Sequence, residues 1–167
     1  MYLIEILILA GWGICWLGWV VTDFRPGRTR LGRYGGSRAG ILVLALLMVR
    51  GTVTGNPWLQ GVGFVIFLLG LALAIWARVC IGWMETDVRL VKTGPYRVVR
   101  HPLYSGIVLA FVGTAIAVSM NWLIAALILG VYFTCRAAMQ ERRMARLIPG
   151  DYLDYKRSTK MLIPFVW

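Results

Sequence analysis

Five apolar runs, each near the length of a membrane span and set apart by clusters of basic residues, constrain this chain more than any other feature. They are Tyr2–Val21, Ala39–Gly55, Trp58–Met84, Leu103–Met120 and Trp122–Cys135. A helix needs roughly 20 residues to cross about 30 Å of hydrocarbon. The third run is long enough to cross with tilt. The second is interrupted by Arg50 and the fifth is short, so both must borrow flanking residues. Asn56-Pro57 and Met120-Asn121 are the only breaks between neighbouring runs, which predicts tight helical hairpins. The sequence is 59% hydrophobic and 15% charged, far from the balance of a soluble domain. An all-α integral membrane protein of about five transmembrane helices is the expected fold class.

The charges give this expectation an orientation. The 167 residues include 18 Lys and Arg against 7 Asp and Glu, a formal net charge of +11. Sixteen of the 18 fall in three segments, Thr22–Arg38, Glu85–Pro102 and Arg136–Trp167, and none in the connections at Asn56 and Asn121. With five spans all three segments lie on one side, which the positive-inside rule makes cytoplasmic. A nucleic-acid partner explains this arrangement less well than anionic lipid headgroups do. The first run carries Glu5 and no basic residues before it, so it reads as a span with the N-terminus outside rather than a signal peptide. Arg50 and Arg78 lie near span ends and can snorkel; alternatively, Arg78 lines a polar cavity with Glu85.

Several motifs have plain structural readings. Trp12, Trp16 and Trp19 recur at near-helical spacing, as a packing or lipid-facing stripe would. Gly61-x-Gly63 suits close helix packing, since no strand precedes it to make a nucleotide loop. Cys15, Cys80 and Cys135 form no C-x-x-C, and His101 is the single histidine, so neither a disulfide framework nor a zinc site is expected.

Polar chemistry concentrates in two stretches. Leu90–Gly106 has turn chemistry at Gly94-Pro95, then Arg100, His101 and a proline suited to the first turn of a helix. Free N–H groups at such a start favour an anion, so Arg100, His101 and Tyr104 are expected to surround a carboxylate or phosphate site. The second stretch holds Arg136 and Gln140 four residues apart on one helical face, with Glu141 about 100° further round. It continues to Tyr152, Tyr155 and Arg157. An interfacial helix with snorkelling basic residues accounts for this tail on physical grounds alone.

Taken together, the ordered pair of motifs resembles the isoprenylcysteine carboxyl methyltransferase family, whose wider relatives include phospholipid N-methyltransferases. The matching residues are Gly94, Tyr96, Arg100, His101, Pro102, Tyr104 and Gly106, then Arg136, Glu141, Tyr152, Tyr155, Arg157, Ile163 and Pro164. The likeness covers roughly residues 80–167; residues 1–79, two spans and most of a third, add only a compatible span count.

The resemblance implies an integral membrane enzyme that transfers a methyl group from S-adenosylmethionine to a lipidic acceptor. Such an acceptor is a prenylated carboxylate, with a phospholipid amine as the alternative. It further implies a cofactor pocket lined by Val88, Leu90, Val91, Tyr96, His101, Pro102 and Tyr104, and an acceptor site at Arg136. An arginine there holds a carboxylate through its planar fork without protonating it. An amine acceptor would need a base or acidic partner, for which His101, Glu141, Glu85 and Asp87 are candidates. The family's first cofactor-contacting glutamate is replaced by Gln140, leaving Glu141 as the acidic member. Either Glu141 takes over, or Gln140 serves as a neutral ligand, or cofactor binding is weakened. A nicotinamide-dependent membrane reductase and a non-catalytic relative are the rival readings. The resemblance requires no metal. Basic loops at the cytoplasmic face of a prokaryotic plasma membrane suit the short outer connections.

Overall fold

The computed structural model describes residues 2–23, 55–81 and 90–163. The expected second span, the loop Thr22–Arg38 beyond Asp23, Glu85, Asp87, Val88 and Pro164 lie outside the described residues. Among the described residues there are five α-helices and one isolated parallel bridge, with no extended strand. The helices are α1 (Tyr2–Asp23), α2 (Pro57–Ile81), α3 (Pro102–Ala117), α4 (Trp122–Leu147) and α5 (Pro149–Ser158). Three of the five begin with proline, whose missing N–H does no harm in a first turn. At α2 the Asn56 side-chain oxygen accepts from the Trp58 N–H at 3.0 Å, capping the start. The break at Met120-Asn121 is the tight turn expected, closed by Trp122 N–H to Ser119 O at 3.0 Å and Leu123 N–H to Met120 O at 2.9 Å.

Among the described residues two helices, α2 and α4, are long and apolar enough to cross a membrane. Only 22% and 33% of their apolar windows are buried. Core helices of a water-soluble protein would show the reverse; here Trp58, Leu69 and Val79 on α2 and Leu127 and Val131 on α4 point outward. The fifth apolar run proves to be the first half of a 26-residue helix that carries on through the basic stretch to Leu147.

The chain divides into two compact units, Met1–Phe67 with Phe111–Ala125, and Leu68–Ala110 with Ala126–Trp167. In the first, α1 buries a narrow stripe, Ile8 and Trp12, four residues apart on one helical face. The Trp12 indole packs on Phe111 at 4.5 Å and Phe67 at 5.7 Å between ring centroids. Its N–H donates to the buried Thr114 hydroxyl at 3.1 Å, satisfying a polar group that would otherwise be stranded. Trp12 is thus a packing residue. Within this unit Gly63 meets Gly113: a Cβ on either would lie 2.7 Å from the other's carbonyl oxygen.

The second unit contains an equivalent crossing. A Cβ on Gly70 would lie 2.7 Å from the Gly106 oxygen, and one on Gly106 would lie 2.7 Å from the Gly70 oxygen. Small residues let backbones approach this closely, so that dispersion acts between them directly. Of the Gly61-x-Gly63 pair, Gly63 makes such a contact, while Gly61 faces open space. Gly63→Ala, Gly70→Ala, Gly106→Ala and Gly113→Ala should each lower stability in detergent by at least ~1 kcal/mol through forced separation of backbones. Gly61→Ala and Gly130→Ala, with nothing within 4 Å of the added carbon, should be neutral or stabilising by up to ~1 kcal/mol. Thermal unfolding of the six variants checks the contrast.

Candidate functional site

The candidate site is assembled wholly within the second unit, from the loop before α3, the polar end of α4, α5 and the segment after α5. The loop begins at Leu90 and Val91, both half-buried. A 3-10 turn follows, Gly94–Arg97. Gly94 has φ +59°, a left-handed conformation, and a Cβ there would lie 2.5 Å from Cys80 Sγ. Both conformation and space therefore call for glycine. The turn buries Pro95 and Tyr96. Tyr155 on α5 donates its hydroxyl to the Tyr96 carbonyl at 2.7 Å. Burial pushes the Tyr155 phenol up to about 12 and raises Tyr96 as well, so both stay protonated at neutral pH and Tyr155 remains a donor.

Beyond the turn the chain runs alongside residues 160–162. Val99 and Lys160 form the parallel bridge. Arg100 N–H donates to Lys160 O at 2.7 Å and His101 N–H to Met161 O at 3.1 Å. Ser105, in the first turn of α3, donates its hydroxyl to Leu162 O at 2.6 Å. The backbone donors of Arg100 and His101, just before α3, are thus taken by the chain's own carbonyls.

The anion beside Arg100 and His101 is instead internal. Glu141 is buried, with its Oε1 2.6 Å from Arg100 Nε and 3.7 Å from His101 Nε2, and its Oε2 3.1 Å from Lys156 Nζ. Arg100 also donates through Nη1 to Lys156 O at 3.2 Å and to Thr159 O. Two cations within hydrogen-bonding distance hold this carboxylate ionised in a place where an unpaired charge would be costly. Gln140, one residue earlier and about 100° round the helix, is exposed and outside this network. Of the two candidates in the motif, Glu141 is the one placed beside His101.

His101 is the remaining open contact. Its Nε2 is buried with no hydrogen-bond partner. The imidazole stacks on Tyr104 at 5.5 Å with planes 7° apart, and Tyr104 stacks on Phe133 at 4.7 Å with planes 12° apart. Pro102 is fully buried at the helix start. Arg136 is half-buried on α4, one turn before Gln140. The structure thus gathers His101, Tyr104 and Glu141, ties Tyr96 to α5 through Tyr155, and leaves Gln140 outside.

Sequence reasoning missed Arg100 as the partner of Glu141, Lys156 as its second cation, Phe133 as a stacking ring and residues 159–162 as the strand-like neighbour. One signal was available: Glu141 is the only acid between Asp87 and Asp151, so a buried arginine at the start of α3 had one nearby choice. Glu141→Gln should cost on the order of 3 kcal/mol, because it leaves Arg100 buried without its counter-charge. Lys156→Ala, with a lysine side chain 50% exposed, should cost no more than ~1 kcal/mol. Thermal unfolding, with hydrogen exchange at the Arg100 and His101 amides, distinguishes the two.

Comparison with known proteins finds similarity to methyltransferases. The chain is 31% identical over 84 residues to the protein-S-isoprenylcysteine O-methyltransferase of Saccharomyces cerevisiae, covering 49% of this chain and 35% of that one. It is 34% identical over 85 residues to methanethiol S-methyltransferase 1 of Bradyrhizobium diazoefficiens, covering 51% and 30%. It is 25% identical over 120 residues to protein-S-isoprenylcysteine O-methyltransferase B of Arabidopsis thaliana, covering 65% and 61%. The chain therefore spans between about a third and three fifths of the length of these relatives. The phospholipid methyltransferase family model matches residues 58–148, more than half of the 167, and includes the loop before α3, all of α3 and α4, and Glu141. The chain belongs to the phospholipid methyltransferase family, with isoprenylcysteine O-methyltransferases among its relatives.

Proposed function

We propose that this protein is a membrane-embedded methyltransferase that uses S-adenosylmethionine and acts on a lipidic acceptor, with a prenylated carboxylate as the first choice. The observation that carries the reading is the buried, unpartnered Nε2 of His101, set beside Tyr104 and an ionised Glu141 inside the segment that the family shares. A buried polar atom without a partner is rare, and a ligand polar group is a natural way to satisfy it. Leu90, Val91, Tyr96, Pro102 and Tyr104 supply the apolar and aromatic remainder of a cofactor pocket, with Val88 completing the set read from the sequence.

When bound, S-adenosylmethionine supplies an electrophilic methyl group that an acceptor nucleophile displaces in line. The protein's part is to align the reactants and exclude water. Tyr104 and Phe133 present stacked faces that keep His101 in one orientation. Glu141 is surrounded by Arg100, Lys156 and His101, so its charge is largely neutralised within the protein. We therefore assign it to tying α4 to Arg100 and α5 rather than to countering the charge of the cofactor. Arg136 is the candidate holder of an acceptor carboxylate, since it stays charged and offers two parallel donors. In the proposed topology five spans place the N-terminus outside and the basic segments on the cytoplasmic side of a prokaryotic plasma membrane. The acceptor then enters from lipid and the cofactor from water, and the basic loop Thr22–Arg38 rests against anionic headgroups.

A thiol acceptor is a second reading, favoured by the 34% identity to a methanethiol S-methyltransferase. A phospholipid amine is a third, suggested by the family's description. Titration calorimetry of detergent-purified protein with S-adenosylmethionine and its demethylated product should give saturable binding. His101→Ala and Tyr96→Ala should weaken it about tenfold, the equivalent of ~1.4 kcal/mol. Arg136→Ala should cut turnover on a prenylated cysteine while leaving cofactor affinity unchanged. A folded protein that binds a reduced nicotinamide and not S-adenosylmethionine would overturn the proposal. Turnover of methanethiol or a phospholipid amine, with none of the prenylated cysteine, would move the acceptor to the second or third reading.

A further inference from the structure

The loop that leads into α3 is held in two unequal ways. Its second half, residues 98–101, is pinned through the main chain. Lys160 N–H donates to Val98 O at 3.3 Å, Arg100 N–H to Lys160 O at 2.7 Å and His101 N–H to Met161 O at 3.1 Å. Its first half, residues 90–97, turns on itself. Tyr96 N–H donates to Thr93 O at 3.2 Å, and Pro95 O accepts from the N–H groups of Val98 and Val99 at 3.1 and 3.2 Å. None of these last bonds leaves the loop. Gly94 packs closely on Cys80 of α2, but such packing sets no bond direction. Among the described residues, one hydrogen bond ties this half to another element. It runs from the Tyr155 hydroxyl on α5 to the Tyr96 carbonyl at 2.7 Å.

That bond lies in the interior, since Tyr96 and Tyr155 are both buried. Water cannot readily replace a donor there, so the carbonyl has reason to stay where Tyr155 meets it. Tyr155 is itself fixed from behind. The Thr159 hydroxyl donates to the Tyr155 carbonyl at 2.6 Å, and Arg100 Nη1 donates to the Thr159 carbonyl. Arg100 Nε in turn lies 2.6 Å from Glu141 Oε1. A continuous line of polar contacts therefore runs from the carboxylate on α4, past the end of α5, to the turn that carries Tyr96. Its last link depends on one phenolic oxygen.

The half of the loop at the end of this line carries Leu90, Val91 and Tyr96, three residues of the pocket wall proposed above. A wall tied at one point takes its position from that point. Once the tie is lost the wall samples other positions, and apparent affinity falls with the fraction of time it spends in place.

We infer that Tyr155 is a positioning residue for the cofactor, acting through the Tyr96 carbonyl to hold that wall in its binding geometry. The inference rests on the S-adenosylmethionine reading and adds to it a residue of α5, beyond residues 58–148 that the family model matches. It gives the tyrosine a task distinct from packing, because the ring alone would suffice for that.

The test is titration calorimetry of the detergent-purified full chain with S-adenosylmethionine and its demethylated product, read for affinity and stoichiometry. Amide hydrogen exchange of the same proteins is followed across residues 90–101. Tyr155→Phe removes a single oxygen and keeps the ring. It should weaken binding about fivefold at unchanged stoichiometry, the loss expected for one net hydrogen bond. Exchange at the Tyr96 amide should speed up by a similar factor, while the Arg100 and His101 amides keep the parental rate. Para-aminophenylalanine at position 155 retains the ring and a donor and should restore both readings. Ser158→Ala removes another hydroxyl that donates to the Tyr155 carbonyl, at 3.0 Å, and leaves the Tyr96 bond intact, so it should match the parent. A merely structural tyrosine would give a lower melting temperature and stoichiometry in Tyr155→Phe, with parental affinity in the folded fraction, and that result would overturn the proposal. Faster exchange spread equally over residues 96–101 would overturn it too, as would equal weakening in the para-aminophenylalanine variant. Absence of binding by the folded parent would remove the methyltransferase reading. The exchange rates would then still decide the tie: a faster Tyr96 amide in Tyr155→Phe supports it, and an unchanged one overturns it.

Discussion

A single buried carboxylate organises the polar half of this protein. Glu141 can be buried only because Arg100 and Lys156 reach it from two other elements, and Arg100 is itself held there by Nη1 donating to the carbonyls of Lys156 and Thr159. An ion pair of this kind contributes little net stability by itself, since desolvation offsets most of the attraction. Its effect is to make alternatives costly. Any arrangement that separates α4 from the start of α3 strands a charge, so the loop, the helix end and α5 are fixed together, and His101 with them.

The two halves of the problem were legible to different degrees, for physical reasons. Long apolar helices announce themselves in sequence through their hydropathy, and the runs Tyr2–Val21, Trp58–Met84 and Leu103–Met120 map closely onto α1, α2 and α3. The turn at Asn121 was readable for the same reason. The fifth run looked too short because its helix changes solvent partway: hydropathy falls at Arg136, but the backbone hydrogen bonds continue to Leu147. Hydropathy reports surroundings, and helicity does not end when surroundings change.

Pairing was much less legible than element identity. Gly63 stood out as a packing residue, yet nothing local names Gly113 as its counterpart, since that depends on which helices become neighbours. Arg100 and Glu141 are 41 residues apart. Gln140 and Glu141 are adjacent, and motif spacing treats them almost alike; one residue of helix rotation puts one in solvent and the other in the network. The helix start at Pro102 invited an anion from outside because its donors look free in one dimension. The donors just before it, at Arg100 and His101, are met by residues 160 and 161 as the chain folds back.

That last feature has a consequence for the order in which the protein is made. The backbone donors of Arg100 and His101 have their partners some 60 residues further along, at Lys160 and Met161, and Glu141 finds its second cation only at Lys156. Synthesis runs from the N-terminus, so α1 to α4 can be in place before the groups that complete the site exist. A nascent chain at that stage holds an aromatic shelf and half of an ion pair, with the start of α3 still open to solvent. The candidate site is therefore the last part of the described structure to become itself, and no stretch that ends before Met161 has it.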